Sequence, residues 1–157
     1  MTIPKKFGRY EIIEVIARGG MGVIYKARDP IVDRLVALKV WSAFEPVPEA
    51  RDRWLRELKR YCVLNHAKIV TAYDIGELDG STYEAMQLLD GESLDAVIKT
   101  NRPLTLLQQI DIISQISGAL QFAHEHDIVH RDVKPANIIL SQYGEAKLVG
   151  LAPPVLS

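Results

Sequence analysis

The sequence predicts an α+β fold in two parts: an antiparallel, strand-rich first half with one helix, and a helical second half that opens after Asp90-Gly91. Three observations carry that expectation. β-Branched segments separated by Gly and Asp-Pro turns recur between residues 10 and 40. One stretch near 49–64 switches to helical spacing. Beyond the break the longest periodic segment, from about Thr105 to His126, is again helical.

The elements follow in order. Residues Tyr10–Ile16 alternate loosely and read as a strand, which Ala17-Arg18-Gly19-Gly20-Met21-Gly22 interrupts and Val23–Ala27 resumes, a glycine-rich hairpin. An Asp29-Pro30 turn leads to a third strand, Leu35–Val40, ending near Trp41, and Pro46 and Pro48 close a loop. From Glu49 to Leu64 the residues Trp54, Leu55, Leu58, Tyr61 and Cys62 recur at three- and four-residue spacing with charged residues between them. Strands are predicted at 70–75 and 82–88, joined by Leu78-Asp79-Gly80-Ser81. In the second half a short helix spans about 92–99. In the long helix Leu106, Ile110, Ile112, Ile113, Ile116, Ala119, Leu120 and Ala123 cover about half the circumference, more than one neighbour can bury. A loop through His130–Asn137, a short strand at 138–140, a Tyr143-Gly144 turn and a strand at 146–149 complete the order. There is no internal repeat and no low-complexity tract.

Composition narrows the function. With 48% hydrophobic and 25% charged residues in 157, wholesale disorder is excluded. Lys plus Arg is 19 against 20 Asp plus Glu, so the chain lacks the basic footprint of a nucleic-acid or membrane-surface binder, and neither partner is expected. A single cysteine, Cys62, allows no intrachain disulfide and no cysteine-built zinc site. Met1–Lys6 has no apolar core of a signal peptide, and no apolar run approaches the roughly 18 residues of a span, so a cytoplasmic location is expected.

Three segments carry chemistry. Backbone N–H groups of the glycine-rich turn can cradle phosphates, although a plain tight hairpin explains the glycines equally well. It is no P-loop, since no Gly-Lys-Ser/Thr follows, and no dinucleotide fingerprint, since a strand rather than a helix comes next. Lys39 ends the apolar run Val36-Ala37-Leu38, where a lysine either reaches water or meets an anion, and Glu57 on the following helix can supply a carboxylate. The densest signal is His130-Arg131-Asp132-Val133-Lys134-Pro135-Ala136-Asn137. There an Asp can accept a hydroxyl proton, a Lys can neutralise a phosphate, and an Asn can offer a metal its carbonyl oxygen.

With these motifs in this order from about Tyr10 to Val149, the sequence resembles the protein kinases, specifically bacterial serine/threonine kinases, in which Gly-Gly-Met-Gly-x-x-Tyr-Lys-Ala is common. The resemblance implies a protein kinase-like fold, with the sheet lobe at 8–89 and the first part of the helical lobe at 90–157. It implies ATP and Mg²⁺ as cofactors, and transfer of the γ-phosphate to Ser or Thr of a protein substrate. It assigns Asp132 as catalytic base, Lys134 as the phosphate-neutralising lysine and Asn137 as a metal ligand. Nucleotide would lie on the turn residues Ala17, Arg18, Gly19, Gly20, Met21 and Gly22. Lys39 would hold the α- and β-phosphates with Glu57 as its partner. Ile16, Ile24, Ala37 and Ile139 would sandwich adenine, with Met86 as gatekeeper and Gln87, Leu88 and Leu89 as hinge. Arg131 resembles the arginine that reads a phosphorylated activation loop.

The chain departs from that pattern in three places. Ala17 replaces the first glycine of the turn, which costs little unless the position needs positive φ. Gly150 stands where the family's Asp-Phe-Gly aspartate would hold Mg²⁺, and no Asp or Glu follows Glu145. The activation loop, the Ala-Pro-Glu segment and the later helices of the family are not found in these residues. Weakened Mg²⁺ binding, impaired transfer and an uncovered apolar face on the 105–126 helix are therefore expected. Three readings stay open: an impaired kinase-type domain, a pseudokinase acting as a nucleotide-dependent protein-interaction module, and a kinase fragment without independent function. His130 reads as a buried brace, His124 and His126 as surface residues, Cys62 as a packed thiol, Trp41 and Trp54 as packing residues, and the 51–60 charges as a solvated helix face.

Overall fold

In a computed structural model, which describes residues 4–19, 22–41 and 48–151, the chain divides into two packed units. One is built from residues up to Asp52 together with Ala72–Leu88, the other from Arg53–Thr71 together with the chain from Leu89 on.

The first unit is an antiparallel sheet. Its strands are β1 (Lys6–Phe7), β2 (Tyr10–Gly19), β3 (Gly22–Asp29), β4 (Arg34–Trp41), β5 (Ala72–Leu78) and β6 (Ser81–Gln87), ordered β1-β2-β3-β4-β6-β5. Asp79 and Gly80 both take positive φ, 48° and 76°, between the paired Leu78 and Ser81. That is why the predicted Asp-Gly turn makes a two-residue hairpin. Alternation along the strands puts Tyr10, Ala27, Val36, Leu38 and Ala85 in one buried cluster, with Phe7, Ile12, Tyr25, Val40 and Tyr83 packed against it. The other face carries Ile24, Lys39 and Glu84 in one cross-strand row, with Ala37 and Met86 opposite each other in the next. Trp41 is buried, as its packing reading requires.

Helix α1 (Pro48–Cys62) comes after β4 in the chain, and its later part belongs to the second unit, with α2 (Leu94–Lys99) and α3 (Leu106–Glu125). The Ser93 hydroxyl caps α2 by accepting from Ala96 N–H at 3.1 Å, and Thr105 with Gln108 forms a capping box on α3. A small antiparallel sheet, ordered β7-β8-β9, comprises β7 (Glu92–Ser93), β8 (Ile138–Leu140) and β9 (Ala146–Leu148). Its β9 is fixed to α3, where Gln115 Oε1 accepts from Ala146 N–H at 2.9 Å. It is also fixed to the 68–70 segment, where Leu148 N–H donates to Lys68 O at 2.8 Å and Val70 N–H donates to Leu148 O at 3.0 Å.

Those last bonds explain a difference from expectation. Val70 looks like the start of a strand reaching 75, yet β5 begins at Ala72, because Val70 and its neighbour Ile69 are buried and engaged with β9 instead. The same contacts group 53–71 with the second unit, whereas a division at Asp90 assigns the whole helix to the first half. Two two-residue strands, β1 and β7, are too short to register as alternation. Cys62 is only half-buried, so it is not the core thiol expected. The side chains of Trp54 and Leu55 lie outside the described residues.

Candidate functional site

The expected site residues fall into two groups, one in each unit. In the first unit, Ile16, Ala17, Arg18 and Gly19 end β2 on the surface, and Gly22 opens β3; Gly20 and Met21 lie outside the described residues. Ala17 pairs with Ile24 in ordinary strand backbone, so the missing glycine at this position is tolerated without a left-handed turn. Gly22 has a stronger requirement. Its φ is +149°, and a Cβ there would come within 2.2 Å of Val40 O, so this glycine lets β3 approach β4.

Lys39 lies in the row with Ile24 and the buried Glu84, and its Nζ stands 4.7 Å over the Trp41 ring. Ala37 and Met86 are both nearly buried beside that row, and Gln87 ends β6 half-buried. A small residue, an apolar residue and a lysine thus share one sheet face.

The second unit assembles the 130–137 loop. His130 is 1% exposed and uses both ring nitrogens. Its Nδ1 accepts from Asp132 N–H at 3.2 Å, so the hydrogen sits on Nε2, which donates to Val149 O at 2.9 Å. The brace reading of His130 holds. It supports Arg131 at φ +65°, a left-handed backbone that costs a side-chain-bearing residue about 1 kcal/mol or more. Lys134 Nζ lies 2.7 Å from Asp132 Oδ2. Asn137 Nδ2 donates to Asp132 O at 2.8 Å and to Asp132 Oδ2 at 3.1 Å. The bond from Lys134 holds the Asp132 carboxyl below the usual carboxylate range; partial burial opposes the shift and the Asn137 bond reinforces it. A short 3₁₀ turn, Pro135–Asn137, delivers Asn137, and Ile139 follows half-buried in β8; Leu89 is half-buried as well.

The loop closes on the segment after β9. Val149 N–H donates to Asn137 O at 2.9 Å, and Gly150 follows at φ +78°. A Cβ on Gly150 would lie 3.1 Å from the Asn137 carboxamide, so position 150 is beside the Asn137 side chain. The donor set there is poor for a divalent cation. Mg²⁺ in phosphoryl-transfer sites takes one or two carboxylates besides phosphate oxygens. Here Asp132 Oδ2 already receives Lys134 and Asn137, the Asn137 side chain offers one neutral oxygen, and Gly150 has no side-chain oxygen to offer. Among the described residues no group of three or more His, Cys, Asp or Glu could hold a metal. These residues do not fit the family's full metal complement.

One contact was not legible beforehand. Glu57, assigned to Lys39 by resemblance, accepts from Arg131 Nη1 at 3.3 Å. The two residues are 74 apart in sequence, and both carry roles in the expected site, so nothing in their spacing pairs them. A cavity of about 90 Å³ adjoins this ion pair, lined also by Arg60, Asp127 and Leu151. His124 is exposed as expected; His126 is exposed too, with its ring 4.3 Å from that of Phe122.

The pattern of the protein kinase domain matches residues 10–152. The chain is 42% identical over 142 residues to the probable serine/threonine-protein kinase PknB of Lactococcus lactis, covering 89% of this chain and 23% of that protein. It is 40% identical over 156 residues to serine/threonine-protein kinase PknA of Mycobacterium tuberculosis, covering 94% of this chain and 36% of that protein. The crystal structure of the M. tuberculosis PknI kinase domain superposes with a TM-score of 0.87 at 29% identity, over 99% of this chain and 63% of that one. The chain thus spans about a quarter to a third of these curated relatives and under two thirds of the similar solved domain.

Proposed function

Because the chain belongs to the protein kinase domain family, with bacterial serine/threonine kinases as relatives, we propose that it is a nucleotide-binding domain of that type whose phosphoryl transfer is impaired. The reading rests on one observation: the 130–137 loop is assembled with Asp132, Lys134 and Asn137 in mutual contact, yet Gly150 stands beside Asn137 where the family uses an aspartate. ATP would be held by the glycine-rich hairpin, by Lys39, and by the apolar surface of Ile24, Ala37 and Met86. In the second unit Lys134 would neutralise a phosphate, and Asp132 would orient or deprotonate an acceptor hydroxyl. Mg²⁺, when bound, supplies charge neutralisation across the phosphates; with its main carboxylate missing, that electrostatic contribution is lost and transfer falls by orders of magnitude. The same observation favours the finer reading of a pseudokinase, in which the nucleotide-bound form binds a protein partner.

The test is a thermal melt with and without ATP, repeated with Mg²⁺ and with Lys39→Ala. At roughly 100 times its dissociation constant ATP adds about 2.7 kcal/mol, several degrees for a chain of this size. The expected result is a shift that Lys39→Ala abolishes and Mg²⁺ changes little. Absence of any shift overturns nucleotide binding. Mg²⁺-dependent transfer of labelled phosphate to a basic protein, lost in Asp132→Ala, overturns the impairment.

A further inference from the structure

A buried acid stands on the sheet face assigned to nucleotide. Glu84, in the middle of β6, is 2% exposed and pairs in register with Lys39 of β4, which pairs in turn with Ile24 of β3. Directly opposed residues of an antiparallel pair project from one face with their Cβ atoms about 5 Å apart, well within reach of two long side chains. A carboxylate taken out of water is costly unless a cation and hydrogen bonds offset the loss. Lys26 is on the same face in the neighbouring row, but its Nζ pairs with Glu14 of β2 at 3.2 Å. The cation opposite Glu84 is therefore Lys39, whose Nζ also lies 4.7 Å over the ring of Trp41, two residues along β4. Glu57, the carboxylate that the resemblance gives to Lys39, accepts from Arg131 at 3.3 Å within the second unit.

We propose that Glu84 is a positioning residue for Lys39, its carboxylate on the adjacent strand holding the ammonium on the face where a nucleotide's phosphates would meet it. That phosphate-binding consequence rests on the nucleotide reading above; the pairing itself does not. The ladder between β4 and β6 runs unbroken from Val36–Gln87 to Val40–Tyr83, so sheet register fixes the two charges opposite each other. A lysine placed in this way owes its orientation to two neighbouring strands of its own unit. Removing one member of a buried charge pair is felt strongly by the member left behind, which makes Lys39 itself the reporter of the pairing.

Acylation of lysine amines in the full chain, mapped by mass spectrometry at one fixed pH, tests the pairing without nucleotide. An ammonium held by a carboxylate keeps its proton and acylates slowly. Glu84→Gln should speed the labelling of Lys39 by roughly tenfold, the change that one unit of proton affinity brings, while Lys26 beside Glu14 labels at the wild-type rate. Circular dichroism confirms that the variant is folded. Where Glu84→Gln gives no cooperative melt, Glu84→Asp, which keeps the charge one methylene back, carries the same comparison with a smaller rise. Titration of a fluorescent ATP analogue should then show affinity about tenfold weaker in Glu84→Gln and partly recovered in Glu84→Asp. Unchanged labelling of Lys39 overturns the proposal. So does an equal rise at Lys26, which would mean a general loosening of the sheet, or a rise that follows Glu57→Gln and not Glu84→Gln. Equal affinity in wild type and Glu84→Gln overturns the positioning role. A wild-type chain that binds no nucleotide removes the nucleotide reading alone, because the labelling decides the pairing by itself.

Discussion

Asp74 in the first unit and Asp132 in the second each gather several donors, and the origin of those donors separates them. Asp74 Oδ2 accepts from Tyr10 Oη at 2.8 Å, from Tyr83 Oη at 3.2 Å and from Arg9 Nη2 at 2.8 Å. Arg9 also reaches the buried Asp29 through Nε at 3.3 Å, and Asp29 Oδ1 accepts from Ile31 N–H at 3.0 Å. The donors to Asp74 come from β2, β6 and the turn before β2, so the carboxylate fastens strands that are remote in sequence. Asp132 receives Lys134 and Asn137, two and five residues away on its own loop. Its side chain is 47% exposed against 27% for Asp74. A carboxylate tied to distant strands serves the fold, whereas one tied only to its own open loop is free to serve a ligand.

The largest expected effect follows from removing the first. Asp74→Ala leaves two tyrosine hydroxyls and an arginine without their shared acceptor, and should destabilise the chain by about 2–3 kcal/mol. In thermal unfolding that is a loss of several degrees. Asp74→Asn keeps one carbonyl oxygen as acceptor and should recover part of the loss. A melt of Asp74→Ala within about 0.5 kcal/mol of wild type would break the comparison, because it would make the cluster a surface decoration.

How much of this was readable beforehand differs between the two carboxylates. Asp132, Lys134 and Asn137 lie in one eight-residue run, so their chemistry is visible as a motif. The hairpins and the long helix are equally visible, since local turn chemistry and apolar period specify them. Arg9, Asp29, Asp74 and Tyr83 share no spacing, and only the folded sheet brings them together. The Arg131–Glu57 pair is hidden for the same reason. Gly22 could be read as part of a phosphate-binding turn, while its close approach to Val40 is a tertiary fact that no local pattern encodes. The start of β5, expected at Val70 and found at Ala72, shows an apolar residue recruited by β9 rather than by its sequence neighbour.

A smaller effect sharpens the contrast from the alkaline side. Burial, then the bond to Asp74, raises the Tyr10 phenol well above its ordinary value near 10; burial, then the charge of Asp74, raises Tyr83 as well. Both phenols should therefore ionise late in an ultraviolet titration of the folded chain. A group whose folded pKa is raised contributes stability that is whole below its unfolded pKa and is lost as pH rises through the folded one. Stability should accordingly hold to about pH 10 and decline above it. In Asp74→Ala the two phenols should titrate earlier; an unchanged titration curve would remove Asp74 from their environment.

The smallest expected change is in the stability of Asp132→Asn. The pair with Lys134 is open to solvent, so its loss should cost less than about 0.5 kcal/mol at neutral pH. The sign of its pH dependence is opposite to that of the tyrosines. A carboxyl whose folded pKa is depressed contributes stability above its unfolded pKa, near 3.9, and loses it as pH falls through the folded value. Wild type and Asp132→Asn should thus melt almost in parallel from about pH 5 to 8, with the wild type's slight advantage fading only below about pH 4. A cost comparable to that of Asp74→Ala would mean that the 130–137 loop is a structural clasp as well, and the open carboxylate could no longer be read as one reserved for a ligand. Parallel melts, together with the large loss at Asp74, would leave Asp132 with no structural reason for its place.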